Sequence, residues 1–172
     1  MPICYLKKTA NTLHGVSTVV DEQQKPLFLL EGKHGLRQDG YTLYTLSGER
    51  LGEIKQITLG LSPDYQLWQN QRQIASLKKI WGVWHEFVYV ANLNWLIMGD
   101  LTRNQYRVVY HTQTIMQIKP ILLPTGEAFQ LTINDQVDQI PCLLIAAVLN
   151  HWAYSQPKAF LRKFSVNLRL NN

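Results

Sequence analysis

The chain has little of what builds covalent or metal-held scaffolds. Its 172 residues include two cysteines, Cys4 and Cys142, far apart in sequence and one almost at the amino terminus. That excludes a disulfide framework and a paired CxxC metal site, and it points to a reducing compartment. The five histidines, His14, His34, His85, His111 and His151, show no HExxH or other paired-ligand spacing, so surface loops are their expected home. His151 is the exception, expected at a helix end where the dipole favours a cation. There is no GxSxG elbow, no GxxxxGKS/T loop and no GxGxxG turn, which leaves acyl transfer and nucleotide binding without a sequence handle. The first eight residues place their charges after a short apolar run and lack the long apolar stretch and small-residue cleavage site of an export signal. The expectation is a cytoplasmic, non-enzymatic protein without cofactor or metal.

Charged residues make up 17% of the chain and apolar ones 46%, the composition of one core-forming domain. The net charge of +5 is unevenly spread. Residues 157–172 hold Lys158, Arg162, Lys163 and Arg169 and no acid, leaving 13 basic against 12 acidic residues, or +1, for the rest. A nearly neutral body argues against a nucleic-acid or membrane footprint on it, since either needs basic groups gathered on one face. An anionic partner is expected at the tail instead.

A β-hairpin outline repeats along the chain. Residues 41–55 alternate apolar and polar around Ser47-Gly48, and the outline returns over 65–78, over 106–119 and, more loosely, over 16–33. The irregular spacing describes duplicated hairpins, not a solenoid period. With the runs 3–7, 86–90, 95–99 and 129–133, roughly a dozen strands precede a single helical segment. So many strands must close into a barrel or stack as a sandwich to hide their edges.

The helix is expected over residues 140–154. Pro141 suits a first turn, Asp138 favours the amino-terminal dipole, and Pro157 stops propagation. Residues 142–149 are apolar or small on every face, so Leu143, Leu144, Ile145 and Val148 are expected in the core. A membrane span needs about twenty such residues, and Asn150 and His151 end this run after eight. Asp135 and Asp138 beside Asn134 have oxygen ligands of the kind calcium takes, but their carboxylates are too sparse for an EF-hand-like loop, and helix capping is the favoured role. Beyond Pro157, residues 163–170 alternate as an amphipathic strand whose face Phe164, Val166, Leu168 and Leu170 must find cover. A closing strand on the same domain is the simplest expectation, with a partner subunit or lipid as the others. Lys78, Lys79, Trp81 and Trp84 interleave basic and aromatic side chains, suited to contact with nucleic acid or a membrane interface or, as the favoured reading, to aromatic cover over a barrel mouth.

The order of these elements, with Gly99-Asp100, the Ile-Lys pairs at 54–55 and 118–119, and Asp135 and Asp138 before an apolar helix, resembles the LURP-one-related family of the tubby-like carboxy-terminal superfamily. The resemblance covers about residues 1–155. It implies a mainly β fold, a closed antiparallel barrel of about twelve strands around a central C-terminal helix, an architecture shared with phospholipid scramblases. The expected organisation is a tubby-like barrel over 1–156 and a basic strand-like tail over 157–172. The expected function is a binding or scaffold domain peripheral to a membrane, engaging anionic lipid or a protein through Lys158, Arg162, Lys163, Arg169, Lys78, Lys79, Trp81 and Trp84. The alternatives are an oligomerisation module using the tail strand and a scramblase-like membrane protein.

Overall fold

Strand periodicity sends alternate side chains to opposite faces, and in this chain the inward set is almost wholly apolar, aliphatic with a few aromatics such as Tyr65 and Phe129. The computed structural model describes residues 1–7, 14–33, 39–58, 64–80, 86–100 and 104–155. The strands are β1 (Ile3–Lys7), β2 (His14–Val20), β3 (Pro26–Lys33), β4 (Gly40–Tyr44), β5 (Arg50–Gln56), β6 (Tyr65–Gln69), β7 (Arg72–Ile80), β8 (Glu86–Ala91), β9 (Trp95–Asp100), β10 (Gln105–Tyr110), β11 (Gln113–Leu123) and β12 (Gly126–Ile133). Each pairs antiparallel with its neighbours in sequence, and β1 pairs with both β2 and β12, through Leu6↔Val19 and Cys4↔Leu131. The sheet is therefore a closed up-and-down barrel and not a sandwich. His14 opens β2, so one of the histidines expected in loops lies in a strand.

The hairpins turn where the sequence supplies residues that accept a left-handed backbone. Gly48 has φ 89°, and Asn70 and Gln71 have φ 50° and 61°, the two successive positive values that a two-residue hairpin turn demands. Asp21 shapes the β2–β3 turn by accepting from the amides of Gln23 and Lys25 at 2.9 and 2.8 Å.

The barrel has no empty lumen, because α1 (Gln139–Ser155) runs through it. Leu6, Leu43, Ile54, Leu67, Val108 and Leu131 point inward and are 0–1% exposed, and they meet a helix whose residues 142–149 are likewise 0–2% exposed. Burying each such Leu or Ile contributes about 2 kcal/mol. The carboxylate of Asp138 caps the helix, Oδ1 accepting from the Ile140 amide at 2.9 Å. Gly52 lets the helix approach: a β-carbon there would lie 3.0 Å from Ile140 Cγ2 and 3.2 Å from Leu144 Cδ1. No described helix is long and apolar enough to cross a membrane.

Every described strand already has two neighbours; residues 163–170, expected as an amphipathic strand, lie outside the described residues.

Candidate functional site

With the interior occupied, the surface and the two ends of the barrel are the places where chemistry can happen. The connections 21–25, 45–49, 70–71, 92–94, 111–112 and 134–138 gather at the end where α1 enters. The strand ends flanking 8–13, 34–38, 59–63, 81–85 and 101–103 lie at the opposite end, where α1 leaves. At that exit the Trp152 ring meets Tyr65 edge-on, with centroids 5.6 Å apart, and His151 Nε2 lies 3.9 Å from Asp39 Oδ2. Burial pushes the Tyr65 hydroxyl up to about 12, against a hydrogen bond from Trp152. Tyr41 is raised further, by burial and then by Tyr65 and Asp39. Burial thus favours the neutral hydroxyl at both tyrosines.

The candidate contacts divide. Lys78 is exposed on the outer face of β7, and the backbone of Lys79 follows it toward the exit end. The Lys79 side chain, Trp81, Trp84, Lys158, Arg162, Lys163 and Arg169 lie outside the described residues. Topology brings three of these attachments together: the end of β7, the start of β8 and the last turn of α1 all finish at the exit end. Leu143, Leu144, Ile145 and Val148 are buried against the barrel wall.

Asp135 and Asp138 do not face a common point. Asp135 Oδ2 accepts from the amino terminus of Met1 at 2.8 Å, while Asp138 Oδ2 accepts from Gln69 Nε2 at 2.7 Å. Among the described residues no three His, Cys, Asp or Glu side chains are placed to hold a metal. Both cysteines are buried, and burial raises each thiol from 9.0 to about 12, with Asp138 and Cys4 adding to the shift at Cys142. Thiolate chemistry is thereby suppressed.

Three features of the outer wall have no single-segment signature. Glu53 faces outward on β5 yet is 9% exposed, clamped by Arg50 and by Lys55, whose Nζ lies 2.9 Å from Glu53 Oε2. On the other side of the barrel Phe87, Tyr89, Leu96, Met98 and Val109 alternate with the inward Val88, Val90, Ile97 and Val108, and register joins them as Tyr89↔Leu96↔Val109 and Phe87↔Met98. Beside them an open depression of about 320 Å³ is lined by Met98, Gln105, Arg107, Gln117, Lys119 and Thr132 among others. Further depressions of about 390 and 370 Å³ lie at the end where α1 enters, the first containing Arg50, Trp68 and Gln69, the second Asn92, Tyr110 and Gln136. The signal that would have found the outer-wall patch is the cross-strand register, since its members come from three strands.

A model of the LURP-one-related family matches residues 3–150. An uncharacterized protein of Bacillus subtilis (strain 168), YxjI, is 25% identical over 152 residues, covering 88% of this chain and 93% of its own length. No solved structure matches.

Proposed function

The chain belongs to the LURP-one-related family, and from that premise we propose that it is a non-catalytic binding module whose ligand is an anionic lipid surface. The observation that carries this reading is the filled barrel: residues 142–149 of α1 are 0–2% exposed inside it, so a ligand engages the outside. The exterior supports an anionic ligand through Lys78 and the adjoining Lys79, and through the four cations of residues 157–172. The suppressed thiols and the sealed tyrosines at the exit argue for binding over catalysis. Membrane association of this kind is peripheral. Co-sedimentation of the full chain with phosphatidylcholine vesicles, with and without phosphatidylserine, tests it. Recovery with the anionic vesicles alone, falling as salt is added, is the expected result. Equal recovery with both at low salt would sink the reading.

Closure of the barrel favours a second reading. With every described strand already paired on both sides, an amphipathic segment such as 163–170 is suited to pair with an edge on another protein. Light scattering on the chain with and without residues 157–172 separates a self-associating form, which would lose mass on truncation, from a monomer.

A further inference from the structure

We propose that the outer wall from β7 to β11 is the face that docks on the anionic bilayer, with Arg107 and Lys119 taking lipid phosphates and Phe87, Tyr89, Leu96, Met98 and Val109 entering the interface. This rests on the lipid reading above and assigns it a surface distinct from the basic tail.

The charged side chains of the barrel wall differ in how they are partnered. Glu31 and Glu53 lie on β3 and β5, Glu31 accepting from the Tyr44 hydroxyl at 3.0 Å and Glu53 neutralising Arg50 and Lys55. From β7 to β12 the described charged side chains are Arg72, Lys78, Arg107, Lys119 and Glu127, those of Lys79, Glu86, Asp100 and Arg103 lying outside the described set. Among the described residues Lys78, Arg107 and Lys119 make no ion pair. Arg107 pairs in register with Gln117, and Gln117 with Thr132, so the 320 Å³ depression combines two cations with amide and hydroxyl donors. That set suits phosphate oxygens.

The apolar patch adjoins this depression through Met98, which pairs with both Phe87 and Arg107. Lys78 borders the other side, opposite Tyr89. The Tyr89 hydroxyl donates to Asn94 Oδ1 at 2.7 Å, which ties the ring to the wall. Aromatic and aliphatic side chains flanked by cations are the composition of a membrane-interface contact.

Geometry excludes other occupants. Among the described strands there is no free edge for an added strand, and a convex wall with one shallow depression suits a broad surface better than a docked helix. The chain's own residues 157–172 carry +4, a charge that does not complement Arg107 and Lys119. A broad anionic surface satisfies both the charge and the convexity.

The test uses the full chain and the same two vesicle compositions. Arg107→Glu with Lys119→Glu is expected to lower binding to anionic vesicles about tenfold or more, and Leu96→Ser with Met98→Ser to lower it comparably. Lys25→Glu with Lys33→Glu, the same charge change on β3 and its turn, is expected to keep binding within about twofold. Thermal melts establish that each variant is folded, and a variant that fails to fold is replaced by Arg107→Gln with Lys119→Gln. Soluble glycerophosphoserine is expected not to displace the chain, which distinguishes a bilayer from a free phosphate ligand. Equal losses from the two charge reversals would show attraction to net charge alone and overturn the assignment. Loss on deleting residues 157–172, with the wall variants unaffected, would move the contact to the tail while leaving the lipid reading standing. Failure of the unaltered chain to bind anionic vesicles would overturn both, and duplex DNA retained in its place through Arg107 and Lys119 would reassign the wall to nucleic acid.

Discussion

Asp138 does two jobs with one carboxylate, capping α1 through Oδ1 and anchoring Gln69 through Oδ2. Asp138→Ala is expected to cost about 1 kcal/mol of stability, read as a lower urea midpoint, and Asp138→Asn much less, since the amide oxygen still caps. The buried thiols carry a second prediction at this scale. Both are raised from 9.0 to about 12 in the folded chain, so above pH 9 the unfolded state releases protons that the folded state retains. Stability is then full below pH 9 and falls as pH rises from 9 toward 12, by about 1.4 kcal/mol per pH unit for each thiol at most. Denaturant midpoints measured from pH 8 to 10.5 should fall, and a Cys4→Ala, Cys142→Ala chain should show a flatter decline. The cap was legible in the sequence, because an acid two residues before Ile140 is a local signal. The burial of Glu53 was not, because Lys55, Thr42 and Trp68 surround it only once β4, β5 and β6 are in register.

The helix and the strands were readable as elements for opposite reasons. Period-two alternation marked the hairpins, and the absence of any polar face over residues 142–149 marked α1 as enclosed. Their contact was hidden, since Gly52 meets Ile140 and Leu144 across about ninety residues of chain and nothing local announces it. Leu144 is 0% exposed. Leu144→Ala is expected to cost about 2–5 kcal/mol, and Leu144→Asp to abolish soluble folding, because the carboxylate would be buried without a partner. Circular dichroism on the soluble fraction distinguishes these outcomes, and a folded, equally stable Leu144→Asp chain would contradict a central helix.

At the scale of the whole molecule, the choice between barrel and sandwich was open to residue patterns alone. The pairing of β1 with β12 decides it, and no motif encodes a contact between the two ends of a chain. The outward patch of β8, β9 and β10 escaped notice for the same reason. Because closure is complete among the described strands, deleting residues 157–172 is expected to shift the denaturation midpoint by less than about 0.5 kcal/mol. A truncated chain that no longer folds would mean that the barrel depends on its tail.

The position of α1 in the chain also has a consequence for biosynthesis. Residues are added at roughly 5–20 per second, so for several seconds after β1 emerges the nascent chain holds strands that lack their filling, because the helix that supplies it follows all twelve described strands. The barrel is thus completed only once α1 has emerged, and any truncation before residue 139 produces a barrel wall with nothing to close upon.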